Sequence, residues 1–340
     1  MSKIKLKNMY SSFKKTDLSA LLLLLKSHQD EYLSGQDLSD VLKISRVAVW
    51  KHIKNIRRLG YKIESKQKRG YRFVKTTNQL LPWEISSVLK TKYIGKRIYY
   101  FEELESTQNF ALQVAHNKNE NGTIIIAKKQ TSGKGRLDRK WISPNGGIWL
   151  SIILHPKFSI EDSVLLPLVG SLALSKSIHK ILNVQTKLKW PNDITLNGKK
   201  IAGMLIDASF QSNTIENIVI GIGINYKVKP KEIERKLKGT PNFYGVETIL
   251  RESQNNNPIY LIENFIYELE KNIDILSDGK KLKIIKEWCD NSETLGKKTI
   301  VNTTNGKIIG VAKKIDGDGA LILKTNKGEK RIFAGDIIHR

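Results

Sequence analysis

The spacing of apolar residues changes along this chain, from a helical period near the N-terminus to short strand-like runs at the C-terminus, so no single uniform architecture accounts for it. Leu18, Leu21, Leu22 and Leu25 recur at i, i+3, i+4 and i+7, the stripe of a short amphipathic helix. Ser34-Gly35-Gln36-Asp37 reads as a capping box, with Leu38, Val41 and Leu42 following on one face. After a break at Lys43-Ile44, Ser45 caps a third helix whose inward face is Val49, Ile53 and Ile56, and Gly60 supplies a left-handed stop. Two alternating runs, Tyr61-Lys62-Ile63-Glu64 and Tyr71-Arg72-Phe73, flank a basic turn and read as a hairpin. Three helices and a basic hairpin predict a winged helix-turn-helix over residues 1–78.

Charge supports a nucleic-acid role for that unit. The formal net charge is +25, and residues 1–75 hold 18 Lys/Arg against 6 Asp/Glu. The outward face of the third helix carries Arg46, Lys51, His52, Lys54 and Asn55, with Ser45 at its start, so this helix is the one expected to meet base edges. Lys66, Lys68 and Arg69 on the wing are expected at phosphates. A plain three-helix protein-contact module is the bland alternative. Cys289 is the single cysteine, which excludes an internal disulfide framework and a cysteine-rich zinc site. The longest apolar run, residues 20–25, is too short for a membrane span. No basic-apolar-small leader opens the sequence, so a cytoplasmic location and no membrane partner are expected.

Residues 76–82 are polar, end in Pro, and read as a linker. Beyond them, β-branched runs at 98–101, 122–127, 148–154 and 219–224 alternate with helical patterns at 106–117 and 166–182. This predicts a mixed-sheet α/β domain over 79–291. Three clusters there carry chemistry. Glu105-Ser106-Thr107-Gln108-Asn109 opens a helix, so its hydroxyls are either helix caps or ligand contacts. Residues 130–141 read QTSGKGRLDRKW, with two glycines for close backbone approach and four cations in seven residues. That loop is not a Walker motif, and taken alone it is as readily a surface turn as a phosphate cradle. Lys189-Trp190-Pro191-Asn192-Asp193 precedes Asn197-Gly198, a strong two-residue hairpin signal, and then Lys199-Lys200-Ile201-Ala202-Gly203. The hairpin returns Lys200 to Asn192 and Asp193, where Asp193 either orients Lys200 or holds a metal. Gly221 and Gly223 lack the third glycine of a dinucleotide fingerprint and read as packing or adenine contact.

In combination, E-S-T-Q, G-K-G-R-x-x-R-K-W, K-W-P-N-D, K-I-A-G and G-I-N resemble the biotin–protein ligase family, and the winged helix is similar to its bifunctional subclass, in which the ligase is also the biotin operon repressor. The resemblance implies a catalytic domain of class II synthetase-like type and an α+β protein overall. It implies attack of the biotin carboxylate on the α-phosphate of ATP, then transfer of biotin to a lysine of a biotin carboxyl carrier protein. Two anions must be joined, which calls for fixed cations and no protein nucleophile. By similarity, Ser106, Thr107 and Gln108 with Gln130 hold the ureido head, with Trp141 as pocket wall and Gly203 beside it. Gly133, Lys134, Gly135 and Arg136 close over the adenylate, Arg136 on the phosphate and Arg139 on phosphate or nucleotide. Lys200 lies between carboxylate and α-phosphate as the main electrostatic catalyst, with Arg136. Lys189 and Asn192 meet phosphates, directly or through Mg²⁺, and Asn225 the adenine. Asp193 is assigned as an orienting or metal-associated residue. Two positions depart from the family pattern: Lys134 replaces a frequent Arg, losing its bidentate fork, and Asp138 replaces a frequent Gly. Asp tolerates a left-handed backbone better than most residues, so the loop geometry is expected to survive.

From Leu295 the pattern is all-β, with Asn305-Gly306 as a tight turn and Asp316-Gly317-Asp318-Gly319 as another. The acidic pattern lacks the downstream Glu of an EF-hand, so a turn is expected rather than a calcium site. Residues 292–340 therefore predict a small SH3-like barrel. The resemblance further implies operator DNA as a partner and a homodimer when the adenylate is bound. A biotin-sensing DNA-binding regulator without catalysis is the main alternative, and it leaves the cation-rich loop and Lys200 unexplained. A nucleic-acid-modifying enzyme lacks the acidic metal cluster or base-stacking strip it would need.

Overall fold

The computed structural model describes residues 9–11, 17–240, 243–251, 253–254, 256–304 and 306–339. It begins with a short strand, β1 (Met9–Ser11), followed by three helices. α1 (Asp17–Ser27) buries Leu18, Leu21, Leu22 and Leu25. α2 (Gly35–Leu42) is capped by Ser34 Oγ, which accepts from the Asp37 N–H at 3.0 Å. It turns Leu38 inward and half-buries Leu42, but Val41 is 64% exposed, against its expected place on that face. Leu38 and Leu42, four residues apart, fill the inward side of this two-turn helix, and Val41 falls outside their stripe. α3 (Arg46–Arg58) is capped by Ser45 Oγ on the Ala48 N–H and buries Val49, Ile53 and Ile56, with Gly60 at φ +87° behind it. β2 (Lys62–Lys66) and β3 (Gly70–Lys75) form the wing. Arg57 at the end of α3 donates to the Ile63 carbonyl and to Ser65 Oγ, which ties the wing to the helix.

The segment expected to be a polar linker is instead a packed joint. Thr77, Leu80 and Leu81 are buried, and α4 (Pro82–Ser86) brings the Glu84 carboxylate against the winged-helix unit. Glu84 accepts from Tyr61 OH at 2.6 Å and from Thr76 Oγ1 at 3.3 Å, and pairs with Lys26 of α1. Trp83 Nε1 donates to the same Tyr61 hydroxyl at 2.7 Å. Burial and the Glu84 carboxylate push the Tyr61 phenol well above its ordinary range, so it remains a donor.

The central unit follows with β4 (Ile98–Phe101), α5 (Thr107–Val114), β5 (Ile124–Ala127), β6 (Gly133–Lys134), β7 (Lys140–Trp141), β8 (Ile148–Leu154), α6 (Ile160–Ser163) and α7 (Leu166–Leu182). β9 (Lys187–Lys189), β10 (Asp193–Leu196), β11 (Lys199–Gln211), β12 (Thr214–Ile224), α8 (Pro230–Leu237), α9 (Pro258–Ser277) and α10 (Lys281–Asp290) complete it. Eight strands form one mixed sheet in the order β1-β4-β5-β8-β12-β11-β10-β9, with only β4 and β5 parallel. The edge strand β1 thus lies in the central sheet, although it precedes the winged helix in sequence. Along β12, Ile218, Ile220, Ile222 and Ile224 face the core built on α7 and α9, while Val219 faces Ala111 of α5 and Ala115 just after it. Period-two alternation therefore lets one strand seal both layers.

The C-terminal unit consists of β13 (Lys298–Thr303), β14 (Gly306–Ile315), β15 (Leu321–Thr325), β16 (Gly328–Ile332) and β17 (Asp336–His339), antiparallel in the order β16-β15-β14-β13-β17. Together with the helical and mixed-sheet units it makes an α+β protein with a small SH3-like end. Thr303 pairs with Gly306; Asn305, expected in that turn, lies outside the described residues. Asp316–Gly319 is a turn, closed by the Gly319 N–H on the Asp316 carbonyl at 2.9 Å. Among the described residues there is no group of three or more His, Cys, Asp or Glu that could hold a metal, and no helix long and apolar enough to cross a membrane.

Candidate active site

The Asn197-Gly198 hairpin decides the centre of the site. Both residues sit at positive φ, +52° and +74°, the backbone that a tight two-residue turn needs. β11 folds back on β10 with Asp193 opposite Gly203, and Lys200 Nζ reaches Asp193 Oδ1 at 2.5 Å. A Cβ on Gly203 would lie 2.9 Å from Lys200 Cε and 3.2 Å from Asp193 Oδ1, so the glycine leaves the lysine its space. Asn192 is buried; its Nδ2 donates to the Met204 carbonyl at 2.6 Å and its Oδ1 accepts from Arg136 Nη1 at 2.9 Å. Asn225 Nδ2 donates to the Lys200 carbonyl at 3.3 Å. Lys189, 4% exposed, has its ammonium pulled down to about 8, chiefly by burial, with Asp193 and Glu293 opposing the shift.

The glycine-rich loop forms the β6–β7 hairpin over this centre. The Gly135 N–H donates to the Arg139 carbonyl at 2.7 Å, and the tip residues Leu137 and Asp138 both take positive φ, +54° and +55°. Asp138 thus adopts the left-handed backbone expected of it, and Leu137 shares it. Gly133 has no room for a side chain: a Cβ would meet the Trp141 carbonyl oxygen, Ser143 Oγ and Gln130 Nε2 at 2.5–2.9 Å. Burial lowers the Arg136 guanidinium from its ordinary range, and Lys134 points to solvent. Arg139, expected at phosphate or nucleotide, forms a bidentate pair with Asp336 of β17, with Nη1–Oδ1 at 3.0 Å. The C-terminal unit therefore grips the loop, and it also receives the Trp190 indole, whose Nε1 donates to the Gly319 carbonyl at 3.0 Å.

The opposite end of the cleft carries no cation and is tightly bonded, with the Asp207 carboxylate behind Gln108. The Thr107 N–H and Oγ1 both donate to Gln130 Oε1, at 2.8 and 3.1 Å, and Gln130 Nε2 donates to Ser143 Oγ at 2.7 Å. Gln108 Nε2 donates to Asp207 Oδ2 at 2.8 Å and to the Val219 carbonyl at 3.1 Å. Ser151 Oγ lies 2.9 Å from both Thr107 Oγ1 and Gln108 Oε1. Ser106 caps α5, its Oγ accepting from the Asn109 N–H at 3.3 Å. Trp141 lies between the two ends, with Lys200 Nζ 5.1 Å from its ring and its own Nε1 without a partner. One solvent-open cleft of about 180 Å³ is lined by every residue expected at the ligands except Gly133. Sequence reasoning missed Ser151, Tyr244 and Asp336, which line the cleft, and Ser143 and Asp207, which hold Gln130 and Gln108 from behind; none carries a motif, and folding alone brings them there.

On α3, Arg46, Lys51 and Lys54 are exposed, as are Lys66, Lys68 and Arg69 on the wing. Arg69 stacks over the Tyr32 ring at 5.1 Å. His52 and Asn55, expected on the outward face, are half-buried, because they flank the inward stripe of Ile53 and Ile56. Val47 and Trp50 are the exposed apolar residues of this helix, and Lys54 lies 5.5 Å from the Trp50 ring.

Three families match along the chain: an HTH domain over residues 17–72, the biotin/lipoate A/B protein ligase family over 100–225, and the biotin protein ligase C terminal domain over 294–340. The bifunctional ligase/repressor BirA of Bacillus subtilis is 35% identical over 93% of this chain and 97% of its own length. The chain belongs to the biotin protein ligase family. The corresponding BirA of Escherichia coli is 27% identical over 90% of this chain and 92% of its own. Among solved structures, the biotin protein ligase from Aquifex aeolicus in complex with biotin and ATP aligns with a TM-score of 0.57 at 27% identity, covering 72% of this chain and 98% of that one. In this ligase-family chain the matched catalytic segment contains all three clusters around the cleft.

Proposed function

We propose that this ligase and repressor uses the end of its cleft at Thr107, Gln108 and Gln130 for the biotin head and the cationic end for the nucleotide phosphates. It activates biotin with ATP and transfers it to a carrier protein of a biotin-dependent carboxylase, and its winged helix binds operator DNA. The observation that carries the reading is Lys200 on Asp193, beside Arg136 on Asn192, midway between the two ends. In the first step a biotin carboxylate oxygen forms a bond to the α-phosphorus, the bond to the β-phosphate oxygen breaks, and pyrophosphate leaves. Arg136 and Lys200 offset the charge that gathers on the α-phosphoryl oxygens, and no protein nucleophile is needed. In the second step a carrier lysine nitrogen attacks the acyl carbon, AMP leaves, and the amine releases a proton. Lys189 and Asn192 hold phosphates, and Asn225 the adenine. Mg²⁺, which takes one or two carboxylates plus substrate phosphates, would be held by Asp193, since Asp336, the other carboxylate lining the cleft, is taken by Arg139, and it would there neutralise phosphate charge.

The three units proposed for these tasks are residues 1–78, 79–291 and 292–340, with the exception of β1, which pairs with β4 in the central sheet. Homodimer formation by edge pairing is the reading for the adenylate-bound protein. β10 pairs with β11 only as far as Gly203, so residues 205–211 of β11 have no strand on that side among the described residues. Sedimentation with biotin and ATP is expected to double the mass; an unchanged mass at operator-binding concentrations overturns the dimer.

Mixing the protein with biotin and Mg-ATP without carrier is expected to give one equivalent of pyrophosphate and a retained biotinyl-AMP mass. Absence of the burst, with biotin-dependent DNA binding intact, would mean a sensor without chemistry. Two further outcomes are expected. A Cβ at Gly221 would lie 2.5 Å from Gln108 Oε1, so Gly221→Ala pushes Gln108 off Ser151. Biotin affinity measured calorimetrically should drop by about tenfold or more, with ATP affinity kept. Because Lys189 loses its proton near pH 8, ATP affinity should weaken as pH rises above 8. The expected slope is at most about tenfold per pH unit, and Lys189→Arg should flatten it.

A further inference from the structure

The phosphate end of the cleft holds a side chain that none of the motifs contains. Tyr244 follows α8, in a stretch whose backbone is pinned to β11: the Lys200 N–H donates to the Gly245 carbonyl at 3.1 Å, and the Glu247 N–H to the Lys200 carbonyl at 3.0 Å. Gly245, at φ +98°, makes the turn that points the neighbouring residue inward. The Tyr244 ring centroid lies 3.2 Å from Lys189 Nζ, and its hydroxyl donates to Asp193 Oδ2 at 2.7 Å. The other oxygen of Asp193 is the one held by Lys200.

We infer that Tyr244 competes with ATP, its phenol occupying the place on Lys189 and Asp193 that the nucleotide phosphates take. This rests on the reading of Lys189 as a phosphate contact. An anion on Lys189 must come within about 3 Å of its ammonium. The ring already stands at that distance, and the lysine is otherwise buried. Phenol and phosphate exclude each other there. The ring face over the buried ammonium and the hydroxyl on the carboxylate give each charged group a partner. The biotin end takes no part in this arrangement, since Thr107, Gln108 and Gln130 are bonded to Ser143, Ser151 and Asp207. Nucleotide entry must therefore turn Tyr244 out, while biotin entry need not.

The test measures dissociation constants of the full-length protein for α,β-methylene-ATP and, separately, for biotin by calorimetry. Tyr244→Ala is expected to bind the nucleotide about tenfold more tightly with biotin affinity unchanged. Tyr244→Phe keeps the ring on Lys189 but loses the bond to Asp193, so a smaller gain of about threefold is expected, and it stands in if the alanine variant fails to fold. Lys189→Ala should weaken nucleotide binding. Equal or weaker nucleotide binding by both tyrosine variants, with Lys189→Ala weakened, overturns the competition and makes Tyr244 part of the nucleotide site. No change in Lys189→Ala removes the phosphate reading itself, and the competition with it.

Discussion

Replacing Lys200 by Ala is expected to slow biotinyl-AMP formation by about 10²–10³-fold. The ammonium is held by Asp193 at 2.5 Å, on a hairpin whose turn is set by Asn197 and Gly198, and its alkyl chain passes over Gly203. It is therefore positioned before substrate arrives, and little reorganisation is left for the reaction itself. Removing it also leaves Asp193 facing the incoming phosphates without its cation, which adds repulsion to the lost attraction. Biotin affinity should fall far less than the rate, because the Thr107, Gln108 and Gln130 network does not involve Lys200 and only the carboxylate contact is lost. Single-turnover pyrophosphate release at saturating biotin and ATP measures the loss. A variant that releases pyrophosphate at the parental rate takes Lys200 out of the chemistry.

The second large effect is at the joint between the winged helix and the catalytic unit. Glu84→Ala takes the shared acceptor from Tyr61, Thr76 and Lys26 at once. Glu84 is 8% exposed and Tyr61 is 3% exposed, so water cannot readily replace the lost partner. Lys26 is less buried and its share is discounted accordingly. A loss of about 3 kcal/mol in denaturant unfolding is expected, concentrated in the transition of the winged-helix unit. Glu84→Gln should lose less, since an amide oxygen still accepts from Tyr61. The rate of adenylate formation should not move, because the cleft lies on other elements, whereas affinity for DNA should fall as the reading helix loses its fixed seat. A loss within about 0.5 kcal/mol would place Glu84 among ordinary surface residues and return residues 76–82 to the role of a tether.

The parts of this protein that were legible in the residues are those governed by local periodicity and turn chemistry. α7 spans Leu166–Leu182, where the apolar pattern ran, and α3 buries Val49, Ile53 and Ile56 between its Ser45 cap and Gly60. The Asn197-Gly198 turn brought β11 back along β10, with Lys200 opposite Thr195 and Asp193 opposite Gly203, and the long Lys200 side chain reaches Asp193 across that glycine. Clusters of ligand-type residues along the chain announced the cleft because each sits on one strand end or one loop. Departures came where one short motif was read without its neighbours. Val41 falls off the inward face of α2, and His52 and Asn55 are drawn toward the core of α3.

The amino-acid sequence by itself determined the succession of helical, mixed and all-β units, the capping and hairpin turns, and which cations sit within reach of one ligand. Those depend on interactions over a few residues, where spacing and backbone preference decide the outcome. Only the tertiary structure decided that β1 completes the sheet of the central unit, that residues 76–84 are a packed joint, that Asp336 takes Arg139, and that Tyr244 stands on Lys189. Each of these joins residues far apart in the chain, and each depends on burial: a carboxylate, guanidinium or phenol removed from water must find a partner, and which partner is near is set by how the three units pack.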